Sequence, residues 1–185
     1  KDLAEYYPTD FITSDRGIRY LWQARMIFSG KFFTGLAPFK DIYIHATVLT
    51  KDGKRMSKSL GTGIDPLEII EKYGADALRF GLAYQTTELQ DMKFGEDTII
   101  MGKKFANKFW NIARYVLLNV SAISKPKPQA EFNKLILKKL DSMAINVTKN
   151  IEGYKFGEAA HELYDFIWHE FADKYIEETK DKNDH

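Results

Sequence analysis

The residues best suited to chemistry crowd into one stretch, 51–66, KDGKRMSKSLGTGIDP. Four cations (Lys51, Lys54, Arg55, Lys58) and three hydroxyls (Ser57, Ser59, Thr62) lie among three glycines (Gly53, Gly61, Gly63). A triphosphate needs concentrated positive charge and many donors where negative charge builds up during transfer. Lys58 and Arg55 supply the charge, while Ser57, Ser59 and backbone N–H groups freed by Gly61 and Gly63 supply the donors. No Gly-Lys-Ser/Thr ends the stretch, so it does not match a Walker loop. Composition alone leaves a second reading open, a solvated basic turn between a strand and a helix.

Such a loop works only if regular elements hold it. Upstream, DFITS (10–14) predicts a short strand, 18–29 a helix, and DIYIHATVLT (41–50) a second strand rich in β-branched and aromatic residues. Strand, helix, strand reads as a βαβ unit and hence a parallel sheet. Asp52-Gly53 is a turn dipeptide. Downstream, Asp65-Pro66 predicts a helix start, with the Asp as cap and Pro in the first turn. Helices are expected at 66–73 and 75–84, broken at Gly74, then at 96–119, 132–152 and 156–179. SAISKPKPQA (121–130) makes the first link between the last three, and Gly153 ends the middle one. The order is α/β followed by all-α: the C-terminal end of a Rossmann-like nucleotide fold, then an antiparallel helical bundle, with a boundary near 90–96.

With 185 residues, 44% of them hydrophobic, the chain can bury one or two compact cores. No apolar run approaches the roughly 20 residues of a membrane span, so no membrane partner is expected. The absence of cysteine rules out disulfides and thiolate-bound zinc, and suits a cytoplasmic setting. The chain opens Lys1-Asp2 without Met, which reads as a processed piece of something longer. A formal charge of +1 hides an uneven distribution. Residues 103–139 are lysine-rich, whereas the last 30 residues carry many carboxylates, so a local basic surface for a polyanion is possible despite the near-neutral total.

The order of residues says more than their composition. Arg55-Met56-Ser57-Lys58-Ser59 resembles the "KMSKS" signature of class I aminoacyl-tRNA synthetases, with Arg for the first Lys. IDPLEIIEKYGADALRF (64–80), FANKFWNIARYVLLN (105–119) and YKFGEAAHELYDFIWHEF (154–171) resemble downstream parts of the valyl-tRNA synthetase family. YYPTDF (6–11) and LWQARMIFSG (21–30) resemble its segment just upstream. The resemblance implies three parts: the end of the Rossmann-like catalytic domain at 1–50, the signature-loop module at 51–95, and part of the anticodon-binding domain at 96–185. The isoleucyl and leucyl families share this layout but fit 21–30 and 154–171 less well.

In that family the signature loop closes over ATP, with its Mg2+, while the amino acid attacks the α-phosphate and pyrophosphate leaves. By position, Lys58 matches the second lysine, which contacts the phosphates, and Arg55 matches the first. These two are the expected catalytic pair. Met56 would pack the loop onto its module, Ser57 and Ser59 would help order it, and Thr62 sits where an Asn is usual. No protein-bound metal is implied. One departure stands out: where the family carries an Asp before the 18–29 helix, this chain has Gly17, with Asp15 two residues earlier. The resemblance further implies valine and tRNA(Val) as partners. It finds no counterpart here for the upstream "HIGH"-type signature, because HELY (161–164) lies on the wrong side of the loop. The chain alone is therefore expected to be inactive. The alternatives are a non-catalytic tRNA-binding module and an isoleucyl- or leucyl-specific fragment.

His45, near the C-terminal end of the second strand, stands where ligands of parallel sheets collect and could touch adenine or ribose. A structurally satisfied strand histidine is the competing reading. Projecting 101–117 as a helix puts Phe105, Phe109, Ile112 and Val116 on one side and Lys103, Asn107, Trp110, Asn111 and Arg114 on the other. The second stripe combines an aromatic face, two amides and two cations, a mixture suited to single-stranded RNA such as an anticodon loop. Packing of Trp110 against a neighbouring helix is the alternative. The aromatic run of 154–175 reads as core.

Overall fold

The computed structural model describes residues 2–57, 61–86, 91–119 and 131–182. The chain divides into two compact units, Lys1–Met56 with Thr87–Phe94, and Ser57–Thr86 with Gly95–His185. The stretch 51–95, expected as one module, contributes to both. Up to Arg55 the chain bonds back onto its preceding strand, through Thr50 N–H to Lys54 O at 2.8 Å and a bridge between Leu49 and Arg55. From Ser57 it is tied forward instead, to Thr62.

In the first unit a short helix α1 (Asp2–Tyr6) precedes strand β1 (Thr9–Asp15). A 3-10 turn (Arg16–Ile18) and a wide π turn (Arg19–Gln23) lead into α2 (Ala24–Thr34). Strand β2 (Phe39–His45) then lies parallel to β1, from Thr9 opposite Phe39 to Asp15 opposite His45. This is the expected βαβ unit, with a later helix. The second strand is shorter than expected: it stops at His45, and β3 (Val48–Leu49) pairs instead with β4 (Met92–Lys93). Thr47 causes the break. Its carbonyl accepts from Met92 N–H at 3.0 Å and its own N–H donates to the Asp91 carboxylate at 3.3 Å, so the backbone leaves β1 for a new neighbour. Most side chains of β1 and β2 are exposed, and so are Phe28, Phe32 and Phe33 on α2.

The second unit is helical: α3 (Pro66–Tyr73), α4 (Ala75–Gln85), α5 (Glu96–Asn119), α6 (Glu131–Glu152) and α7 (Phe156–Asp165). A π-helical segment (Phe166–Ile176) and α8 (Glu177–Lys182) carry α7 onward. Asp65 caps α3 through Leu67 N–H at 2.9 Å, with Pro66 in the first turn, and Gly74 closes it. The core lies where α4, α5 and α7 meet. Ile99 is only 1% exposed, and Phe80, Phe105 and Tyr164 form a ring column with centroid spacings of 4.4 and 5.3 Å. Two glycines permit these close crossings. A Cβ at Gly102 would lie 2.5 Å from Ala77 O, and one at Gly157 only 1.8 Å from Thr86 O. Of the aromatic run of 154–175, expected as core, only Phe166 is fully buried; Phe156, Tyr164, Trp168, Phe171 and Tyr175 are half-buried and Tyr154 is exposed. Packing against α6 is looser, because Phe109, Leu140, Met143, Phe166 and Phe171 border an apolar cleft of about 520 Å³.

Candidate functional site

Two regions carry the expected site residues. The first is the C-terminal edge of β1 and β2, where the register sets Asp15 beside His45. Asp15 caps the following 3-10 turn, accepting from Gly17 N–H at 2.6 Å, and takes the Thr47 hydroxyl at 2.7 Å. Thr47 and then Gly17 hold the Asp15 carboxyl below its ordinary range against the opposing effect of burial, and Arg55 and His45 add to the lowering. The Arg55 guanidinium stands 3.9 Å from the same carboxylate. A tight turn sends it there: Gly53 N–H donates to Thr50 O at 2.8 Å, with Gly53 at φ 77°, a conformation that glycine adopts without steric cost. A neighbouring carboxylate, Asp91, takes two bonds from Arg16 at 2.9 Å each.

His45 is exposed. Its Nδ1 lies 2.9 Å from Ala46 O, so that nitrogen donates and leaves Nε2 to another partner. The histidine therefore satisfies a local carbonyl and still presents one nitrogen. Sequence reasoning did not find Thr47 or Asp91. Thr47 reads as an ordinary strand threonine, and Asp91 is 75 positions from the arginine it binds, beyond any local pattern.

The signature loop itself begins in the second unit with a clasp. Ser57 N–H donates to the Thr62 hydroxyl at 2.9 Å, and Thr62 N–H donates to Ser57 O at 3.1 Å. Met56 and Ser57 are half-buried. The remaining expected residues of this loop, Lys58 and Ser59, lie outside the described residues.

The second region is α5. Lys103, Asn107, Trp110, Asn111 and Arg114 are all exposed, Trp110 at 73%. Trp110 is therefore not packed in the bundle core. Lys103 is partly engaged, with Nζ 3.5 Å from Lys72 O and 5.7 Å from the Tyr73 ring centre. Asn107 and Asn111 border a shallow groove of about 480 Å³ together with Lys104, Lys108, Trp168 and Asp173. That groove is not a basic one. Lys108 pairs with Asp173 at 2.5 Å while lying 4.2 Å over the Trp168 ring. Phe105 is buried on the opposite side as projected, whereas Phe109 stays 53% exposed at the apolar cleft.

Residues 1–95 match the family model "tRNA synthetases class I (I, L, M and V)", and 133–185 match "Anticodon-binding domain of tRNA ligase". Over 98% of its length the chain is 45% identical to the valine–tRNA ligase of Aquifex aeolicus, of which it spans 16%. It is 44% identical to that of Bacillus cereus over 97% of its length, and spans 21% of that protein. Among solved structures, the LeuRS–tRNA–LeuAMS ternary complex of Agrobacterium radiobacter superposes with a TM-score of 0.77 at 22% identity, over 86% of this chain and 22% of that one. Methionyl-tRNA synthetase of Mycobacterium tuberculosis, in complex with methionyl-adenylate, superposes with a TM-score of 0.75 at 22% identity, over 96% of this chain and 35% of that one. The fold is therefore that of a class I synthetase segment, mostly helical with small parallel sheets.

Proposed function

The chain belongs to the class I tRNA synthetases of the I, L, M and V group, and from that premise we propose that it is the signature-loop and anticodon-side segment of a valine–tRNA ligase. The observation that carries this reading is the sequence Arg55-Met56-Ser57-Lys58-Ser59, which along the chain follows a parallel strand pair and precedes a capped helix. The names of the relatives at 44–45% identity favour valine.

In the proposed reaction a valine carboxylate oxygen attacks the α-phosphorus of ATP, and the bond to the bridging oxygen breaks as pyrophosphate leaves. A hydroxyl at the tRNA(Val) 3′ end then attacks the valyl carbonyl, and AMP leaves. Lys58 and Arg55 act as fixed positive charge at the phosphates, so catalysis is by positioning and charge rather than by a general base. Magnesium accompanies ATP as part of the substrate. Met56 seats the loop, Ser57 and Ser59 order it, and His45 offers Nε2 to the nucleoside. The α5 stripe and the helices beyond it, arranged as an antiparallel bundle, receive the anticodon arm in a cytoplasmic enzyme.

The segment alone is proposed to be inactive. The open aromatic face of α2 and the exposed strands are what a parallel sheet shows when its covering layers are missing, since such sheets are normally buried on both faces. Gly17 at the family's Asp position favours a second reading, a module that holds tRNA without using ATP.

The test is amino-acid-dependent exchange between pyrophosphate and ATP by the full-length enzyme carrying this segment, with valine, isoleucine and leucine in parallel. Exchange with valine alone is expected, and Lys58→Ala should lower it by about 100-fold or more while tRNA affinity is kept. Exchange with isoleucine or leucine instead would overturn the valine assignment. No exchange with any amino acid, with tRNA still bound, would favour the module.

A further inference from the structure

Asp15 stands two positions before the glycine that replaces the family's aspartate, yet its surroundings are those of a group with a task. Its side chain is 20% exposed, and two donors and a guanidinium converge on it. Two of them are fixed by the fold: the Gly17 amide on Oδ1 and the Thr47 hydroxyl on Oδ2. The third, Arg55, is the first cation of the signature loop, 3.9 Å from Oδ1 with its own side chain 73% exposed. We propose that Asp15 is a positioning residue for adenylate formation, whose anchored carboxylate orients the Arg55 guanidinium at the entrance to the loop. This rests on reading the segment as part of an ATP-using synthetase.

Three features fit that task better than simple support of the strand end. The pairing is weak, because 3.9 Å is beyond hydrogen-bond reach and Arg55 is well solvated, so phosphates can draw the guanidinium away at little cost. Its departure leaves no stranded carboxylate, since Oδ1 keeps the Gly17 amide and Oδ2 keeps Thr47. The nearby competitor is already occupied: Arg16 is held by both oxygens of Asp91, and Thr47 keeps the two carboxylates apart by bonding each with a different atom. Gly17 becomes intelligible as well. A Cβ there would lie 2.9 Å from Asp15 Oδ1 and 3.6 Å from an Arg55 nitrogen, in the space where carboxylate and guanidinium approach. The residue that departs from the family pattern is the one whose lack of a side chain lets this pair form.

The test is a double-mutant cycle in the full-length enzyme, using Asp15→Asn, Arg55→Gln and the pair, read as kcat and KM for ATP in valine-dependent pyrophosphate exchange. Asn keeps the shape and loses the charge. An exposed pair of this kind supports a roughly threefold to fivefold effect, so Asp15→Asn is expected to lower kcat by that factor with KM for ATP nearly unchanged. In the Arg55→Gln background it should cost nothing further. Independent of activity, the Arg55 Nε–H resonance of the 185-residue chain should move on Asp15→Asn and stay put on Asp91→Asn. An equal loss with and without Arg55, or an Arg55 resonance indifferent to Asp15, would overturn the proposal and leave the synthetase reading intact. No exchange by the unsubstituted enzyme with any amino acid would overturn that reading, and this role with it.

Discussion

Replacing Thr62 with valine keeps the shape of the side chain and removes its hydroxyl, which isolates the clasp at the base of the signature loop. In the structure that hydroxyl accepts from Ser57 N–H at 2.9 Å and lies 3.3 Å from Ser57 O, to which it donates. The backbone bond from Thr62 N–H to Ser57 O, at 3.1 Å, survives the substitution. A neutral hydrogen bond contributes about 0.5–1.5 kcal/mol net, and both of these are solvent-exposed, with the longer one at the low end. Their joint loss is then about 1 kcal/mol, roughly a fivefold shift toward the unclasped loop. Hydrogen exchange of the Ser57 amide reads this directly: it should speed up about fivefold in Thr62→Val, remain slow in Thr62→Ser, and leave core amides near Ile99 unchanged. Residues 58 and 59 lie between the clasped positions, so pyrophosphate exchange by the full-length enzyme should fall by a comparable factor. Equal Ser57 exchange in the threonine and valine proteins would show that the hydroxyl does not close the loop, and the ordering argument would fail with it.

Two further expectations concern the helical unit. For a tRNA probe, Trp110→Ala should weaken binding by about tenfold, the middle of the range for loss of one stacked base. Arg114→Ala should lower the slope of log affinity against log salt by about 0.7, one phosphate's share for single-stranded RNA. Lys108→Ala, whose ammonium is already paired with Asp173, should change neither; if it does as much as Arg114→Ala, the stripe has been drawn on the wrong face. In the packing of α7 on α4, Gly157→Ala drives a methyl to within 1.8 Å of Thr86 O. A backbone contact this short puts the overpacking cost near the upper end of about 1–3 kcal/mol, and nearly 1 kcal/mol of helix propensity offsets it, so a net loss of about 2 kcal/mol should lower Tm by roughly 4–8 °C. Gly63→Ala, which would meet nothing within 4 Å, serves as the control, and equal melting of the two would refute the close crossing.

The elements legible in the sequence are those whose limits are set locally. Helix α3 runs from Pro66 to Tyr73 as expected because Asp65 caps it and Gly74 ends it within a few residues of chain. Helix α5 likewise spans 96–119 as its apolar spacing predicts. The second strand was misjudged because its end is fixed by a residue 44 positions away, the Asp91 that holds Thr47 N–H. A β-rich composition cannot reveal such a partner. The wide turns at Arg19–Gln23 and Phe166–Ile176 carry no signal in composition. In the site, the motif named Arg55 and Lys58, but only the fold showed which carboxylate Arg55 faces.

Charge was legible in kind and illegible in effect. Read along the chain, 103–139 is basic and the last helical stretch acidic, which suggests a basic surface waiting for a polyanion. The fold brings the two together. Lys108 meets Asp173 across 65 positions, and Lys139 meets Glu170 across 31, with Lys174 sharing the same carboxylate. Those two bonds hold the Glu170 carboxyl below its ordinary range, so at neutral pH it stays charged and keeps both lysines occupied. Lysines committed in this way have less left to neutralise a phosphate, since each would first have to give up a paired carboxylate. On the α5 stripe, RNA affinity would rest on few charges, Lys103 and Arg114, and on stacking by Trp110. A surface built so would bind nucleic acid with a shallow salt dependence and a strong dependence on Trp110, the reverse of what the lysine count of this stretch suggests.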